Sequence, residues 1–233
     1  MVKKSKDMAN LFLAAKIVGK GGGAPTPPEP PTDGKTRLFI RLEDGRLEPQ
    51  LGLGINGSVD VDWGDGSAHD TMTGSNVNTT VYKGHTYAQE GEYIIALTVT
   101  GSVQFNGENG YGYILGKQGG NSDTNKTYLN VLTKLYIGSS VTSISNSAFY
   151  NCYSLASISI PDSVTSISGS AFYNCYGLGF IKFESETPPT VTNVNTWNGI
   201  PTDCILYVPQ GALSAYTSAT NYPDPAKYTY VEY

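Results

Sequence analysis

Residues 141–155 read VTSISNSAFYNCYSL, and residues 164–178 read VTSISGSAFYNCYGL. The two stretches lie 23 positions apart and differ only at Asn146/Gly169 and Ser154/Gly177. A repeat of fixed period in this range is the signature of a solenoid, whose coils bury their apolar faces only against their neighbours. The phase persists beyond these blocks. Leu132-x-x-Leu135-x-Ile137, Leu155-x-x-Ile158-x-Ile160 and Leu178-x-x-Ile181-x-Phe183 recur at the same step. The last two apolar residues of each are two apart, which puts them on one side of a strand. Successive coils then stack these strands roughly 4.8 Å apart into a parallel ladder. Turns follow at Gly138-Ser139-Ser140 and Pro161-Asp162-Ser163, then Val-x-x-Ile, then Ala-Phe-x-x-Cys. Phe149 and Phe172 are expected to close the core from the far side of each coil.

The unit L-x-x-I-x-I-P-x-S-V-T-x-I-x-x-x-A-F-x-x-C resembles the BspA-like leucine-rich repeat over residues 129–233. The resemblance implies a cell-surface or host-contact protein without catalytic activity. It also implies a closing strand and a short helix, matched here by residues 204–209 and 211–216. Only two complete units are present, whereas three or more with caps are normally needed. The flanking segments must therefore act as caps.

A second module precedes the repeats. Val59-Asp60-Val61-Asp62-Trp63-Gly64-Asp65-Gly66 alternates apolar and acidic residues and then turns, as does a strand with valines inward and aspartates in water. His85-Thr86-Tyr87, a turn at Gly91 and the strand-forming run from Tyr93 to Thr100 follow. This WGDG…HTY pair resembles a PKD domain, which implies an immunoglobulin-like β-sandwich over residues 36–101 serving as a spacer or contact module. The expected fold is mainly β: residues 1–35 as docking helix and linker, 36–101 as sandwich, 102–128 as an irregular connecting cap, and 129–233 as solenoid with its C-terminal cap.

Composition agrees. With 27 Gly, 17 Tyr and 15% charged residues, the chain reads as turn-rich β structure. A net charge of −5 speaks against a nucleic-acid surface. Residues 1–20 carry five Lys and one Asp, or +4, which leaves −9 for the remainder. Three Cys cannot form a complete disulfide framework. Cys152 and Cys175 occupy equivalent repeat positions, where small thiols stack inside the coil.

Residues 7–18 (DMANLFLAAKIV) read as a short helix stopped at Gly19, with Leu11, Phe12, Leu13, Ile17 and Val18 as candidate docking residues. Such a helix is marginal alone, so it gains order by docking on a partner. Its apolar run is far short of the roughly 20 residues that span a bilayer. A glycine hinge at residues 21–23 then leads into a polyproline spacer at residues 25–31. Docking peptide, hinge, spacer and displayed β modules together resemble bacteriophage fibre or decoration proteins. That implies a virion location, a phage structural protein as partner of the N-terminal segment, and a bacterial surface glycan or protein as partner of the repeats. In this arrangement the repeats form the tip and the PKD-like module the stalk. A secreted or cell-surface bacterial adhesin is the alternative, a purely structural decoration another, and the oligomeric state is left open.

Enzyme signatures fail. Gly52-Leu53-Gly54-Ile55-Asn56-Gly57 fits G-x-G-x-x-G, but a strand rather than a helix follows, so the stretch is expected to be a turn. The two histidines, His69 and His85, belong to no catalytic motif, and no cofactor is implied. Asp60, Asp62, Asp65 and Asp70 offer hard oxygens to calcium, but alternating aspartates on a solvent-facing strand need no ion.

Two surfaces compete as partner sites. One is the outer face of the strand ladder, where Lys134, Tyr136, Ser157, Ser159, Phe180 and Lys182 alternate with buried residues and are expected to be exposed. The other is the row Tyr150, Tyr153, Tyr173 and Tyr176, kept outside by the inward Phe149 and Phe172. Tyrosines supply broad contact area with hydroxyls, suited to sugars and protein surfaces.

Overall fold

The structure is a computed structural model that describes residues 27, 29–108, 111–112, 114–115 and 127–233. It is mainly β. The N-terminal part contributes β1 (Thr36–Leu42), β2 (Gln50–Asp62), β3 (Asp70–Gly84) and β4 (Gly91–Phe105), with a minor hairpin of β5 (Gly107–Glu108) and β6 (Tyr111–Gly112). The repeats contribute β7 (Leu132–Tyr136), β8 (Val141–Ile144), β9 (Ser157–Ile160), β10 (Ser166–Ile167), β11 (Phe180–Phe183) and β12 (Thr190–Val191). The chain closes with β13 (Ile205–Val208), α1 (Leu213–Thr217) and β14 (Thr229–Glu232).

The period becomes register. Leu135, Ile158, Ile181 and Leu206 stand opposite one another in the parallel ladder β7–β9–β11–β13, and Ile144, Ile167 and Val191 in the ladder β8–β10–β12. The third side of each coil is also hydrogen-bonded: Phe149 N–H donates to Ala171 O at 2.8 Å, and Phe172 N–H to Thr196 O at 3.0 Å. Inside, Phe149 and Phe172 stack at 5.3 Å and 11°, in superposable environments as the repeat requires. The column extends both ways, to Phe105 at 5.4 Å and to Trp197 at 5.1 Å. The expected closing strand and short helix are β13 and α1; β14 pairs parallel with β13 beyond them.

The N-terminal strands are not a separate sandwich beside the coils. β1 pairs antiparallel with β7, and β4 pairs parallel with β8, so both ladders run on into the N-terminal part as one sheet. Residues 102–105, expected in a connecting segment, are the end of β4. There Val103 faces Val141, Phe105 faces Ile144, and Ser145 N–H donates to Phe105 O at 3.0 Å. Gln104 bonds Ser143 at 3.1 Å and Ser145 at 3.0 Å. β1 and the end of β4 thus complete a coil that the repeat itself lacks.

Two separate sheets, as an immunoglobulin-like sandwich requires, are not shown among the described residues. Instead one sheet folds over. Lys83 and Asp70 lie 13 positions apart on β3, a span of roughly 43 Å if extended, yet their side chains meet at 2.7 Å. The bend has two causes. Between Gly54 and Ile55 the register jumps, leaving residues 77–79 bulged out. Beside it, Gly74, Gly57 and Gly101 face one another across three strands. Gly57 and Gly101 take φ of 124° and 103°, and a Cβ on either would come within 2.1 or 2.2 Å of an opposing backbone carbonyl oxygen. The G-x-G-x-x-G stretch is therefore a bent strand rather than the expected turn, because antiparallel partners on both sides hold it extended.

Two outcomes follow from a continuous sheet. Phe172→Ala should cost about 3–5 kcal/mol in urea unfolding, since it empties the middle of the aromatic column. Trp63 in the folded sheet and Trp197 at the column's end, followed singly by fluorescence in Trp→Phe backgrounds, should report coincident transitions. Two separated transitions would mean that the halves fold independently.

Candidate functional site

The alternation within A-F-Y-N-C-Y sets the tyrosine edge. Phe149 and Cys152 point inward and are buried, so Tyr150 and Tyr153 face outward on either side of Asn151. Asn151 and Asn174 hold left-handed φ of 61° and 60°, which asparagine tolerates. Asn174 Nδ2 donates to Asn151 Oδ1 at 3.0 Å, and the Tyr176 hydroxyl donates to Asn174 Oδ1 at 2.8 Å. Tyr150 and Tyr173 stack at 4.9 Å and 4°, and Tyr153 and Tyr176 at 5.7 Å and 5°. Tyr153 and Tyr176 are 38% and 57% exposed, while Tyr150 and Tyr173 are half-buried.

This geometry decides what the edge can offer. Each tyrosine covers the face of the next along the stack, so a partner meets ring edges, hydroxyls and the asparagine amides. The edge therefore suits hydrogen bonding to hydroxyl-rich or peptide surfaces more than face-on stacking. The asparagine column was not anticipated from the sequence, although Asn151 and Asn174 recur at the same 23-residue step.

The ladder face differs from expectation. Tyr136, Ser157, Ser159 and Lys182 are buried, Lys182 to 2% exposure, and Lys134 and Phe180 are half-buried. Neighbours in no periodic relation to the repeat cover them. Phe39 of β1 lies edge-on to Tyr136 at 5.6 Å, and Tyr207 of β13 edge-on to Phe180 at 5.8 Å. Lys182 Nζ pairs with Glu29 at 2.9 Å and sits 4.5 Å from the centre of the Tyr233 ring. Lys134 Nζ lies over the rings of Tyr136 and Phe39, and desolvation there pulls its pKa down to about 8. A cleft of about 450 Å³ remains, lined by Glu29, Lys35, Tyr136, Asp162, Glu184 and Tyr233 among others. Of the expected polyproline spacer, the described residues are not held away from the body: Glu29, Pro30 and Pro31 line this cleft and Pro27 is buried.

The WGDG and HTY motifs meet in one corner. His85 stacks on Trp63 at 4.8 Å and 7°, bonds Asp65 at 2.8 Å, and stands edge-on to Tyr87. The Tyr87 hydroxyl donates to Trp63 O at 2.8 Å, and Trp63 Nε1 donates to Asp70 at 2.9 Å. The aspartates considered for calcium have protein partners: Asp60 and Asp62 approach His69, Asp65 takes His85, and Asp70 takes Lys83. Among the described residues no group of three or more His, Cys, Asp or Glu is placed to hold a metal ion. Cys152, Cys175 and Cys204 are buried free thiols, and burial pushes Cys152 and Cys204 up to about 12.

Leu11, Phe12, Leu13, Ile17 and Val18 lie outside the described residues. Among the described residues no helix is long and apolar enough to cross a membrane.

Comparison with known proteins bears on the repeats. Residues 125–196 match the family model of the BspA type leucine rich repeat region (6 copies). No curated protein and no solved structure matches the chain.

The aromatic corner leads us to expect an acid-sensitive folded sheet. Desolvation alone would raise the Asp65 carboxyl, but hydrogen bonds from Ser67 and then His85 outweigh it and bring it from 3.8 down to about 2. A carboxyl depressed on folding stabilises fully above its unfolded pKa and loses that contribution as pH falls through the folded one. Urea unfolding should therefore show stability declining between pH 3.8 and about 2, with a flatter profile in Asp65→Asn. An equally steep profile in the variant would show that this contact does not carry the effect.

Proposed function

We propose that this protein is a non-enzymatic, surface-displayed adhesion protein whose contact surface is the tyrosine–asparagine edge of its repeats. Repeats of the BspA type are commonly surface adhesion modules, which supports this reading. The observation that carries it is the double tyrosine stack beside the asparagine column, in which Tyr153 and Tyr176 are exposed. Tyrosine is a rigid, amphipathic contact residue that loses little conformational entropy on binding. The partner is a bacterial surface glycan or protein. The PKD-like WGDG…HTY pattern fits a supporting role for the folded sheet.

The chain is carried on a phage particle through residues 1–20, a basic segment of +4 set before a glycine hinge. A bacterial adhesin would use the same edge and differ only in what holds the N-terminal segment.

The double variant Tyr153→Ser/Tyr176→Ser should weaken association with host cells, or with an immobilised glycan array, at least tenfold, about 1.4 kcal/mol. Its circular dichroism and urea midpoint should stay near those of the parent, because both rings project outside the core. Deleting residues 1–20 should abolish particle association and leave cell binding intact. Unchanged cell binding in the tyrosine variant would rule out the edge, and with particle association retained would favour a purely structural decoration.

A further inference from the structure

The strap at residues 29–35 has a direction. β1 begins at Thr36, on the rung that joins the coils to the folded sheet. Read backwards from there, the chain is fixed at each step. The Thr36 hydroxyl accepts from Gly138 N–H at 2.9 Å, and Gly34 passes so close to Gly138 that a Cβ on the latter would lie 2.3 Å from Gly34 O. Asp33 is held by the Arg37 guanidinium. Glu29 then reaches Lys182 on β11, three rungs along the ladder from β1. The strap thus runs away from the folded sheet and towards β13 and β14. A buried ammonium is costly unless paired, and the carboxylate paired with Lys182 belongs to this strap.

We propose that the ladder face is the seat of the chain's own N-terminal strap, so that the described N-terminal end of the strap lies at β11, on the repeat side of the body. If residues 1–20 are the attachment point, as proposed above, the particle holds the molecule by its repeat end and the folded sheet of β1–β4 points outward. This inverts the stalk-and-tip arrangement expected from chain order. It also removes the ladder face from the surfaces open to a host partner and does not involve the tyrosine edge. Five strand spacings of roughly 4.8 Å each separate β11 from β2 along the sheet order.

A nitroxide on Thr26→Cys in the full chain tests this, since Cys152, Cys175 and Cys204 are buried and should resist labelling. Amide signals of β11 and β13 should lose most of their intensity, while those of residues 63–69 keep theirs. Equal loss at both ends, or loss centred on residues 63–69, would overturn the proposal. Glu29→Gln should blur the contrast at least twofold; an unchanged pattern would show that the Glu29–Lys182 pair is not the clasp. If the label behaves as expected but deletion of residues 1–20 leaves particle association intact, the attachment reading fails and the strap stands.

Discussion

A coil in this fold can seal its apolar interior only against another coil, so the ends of the stack are where the structure is decided. With two complete repeats there are as many ends as interiors. The N-terminal end is closed by sheet continuity: β1 and the last residues of β4 stand in for the two strands of a missing coil, and Phe105, in register with Ile144, packs its ring on Phe149. The C-terminal end is closed differently. Trp197 finishes the aromatic column, Phe183 and Tyr222 pack on it, Tyr216 of α1 packs on both of these, and β14 pairs with the last rung.

The same constraint explains the fold in the N-terminal sheet. β4 must pair with β1 over residues 91–97 and with β8 over residues 103–105, and those partners belong to different sides of the coil. A straight strand cannot serve both. The glycine row through Gly74, Gly57 and Gly101 supplies the bend at the place where β4 passes from one side to the other, and β2 and β3 bend with it. The Trp63–His85–Asp65 corner then stitches the folded halves together. What looked in the sequence like an independent domain is the cap that a two-repeat solenoid needs.

Much of the solenoid was legible because its contacts repeat at one step: Ile144 over Ile167, Phe149 over Phe172, Tyr153 over Tyr176. The end-pieces were not, since Trp197 follows Phe172 by 25 residues and Phe105 precedes Phe149 by 44, outside the 23-residue phase. The covering of the ladder face was hidden for a related reason. Glu29 and Lys182 are 153 positions apart, and nothing in the local pattern around either marks the other. Alternation predicts which way Tyr136, Ser159 and Lys182 point, but whether that side meets water depends on segments elsewhere in the chain. The glycines at 52, 54 and 57 fit a turn as well as a bent strand, because a bend inside a paired strand and a turn ask for the same residue.

The two positions at which the repeats differ separate folding from display. A Cβ on Gly177 would lie 2.6 Å from Tyr153 O, so the second repeat takes glycine where the first has Ser154. Gly169 sits where a Cβ would approach Asn193 at 3.2 Å, a neighbour belonging to the C-terminal cap. The first difference answers to crowding by the neighbouring coil's backbone, the second to the side chains of Asn193 and Asn146. The tyrosines answer to no such demand. Phe149, Cys152 and Leu155 fill the interior, and the outward positions between them need only tolerate water, which smaller polar residues would do as well. Large aromatic rings, held in register and locked through Asn174 to the neighbouring coil, are more than the coil's stability asks of that edge. The proposed contact role draws on that surplus.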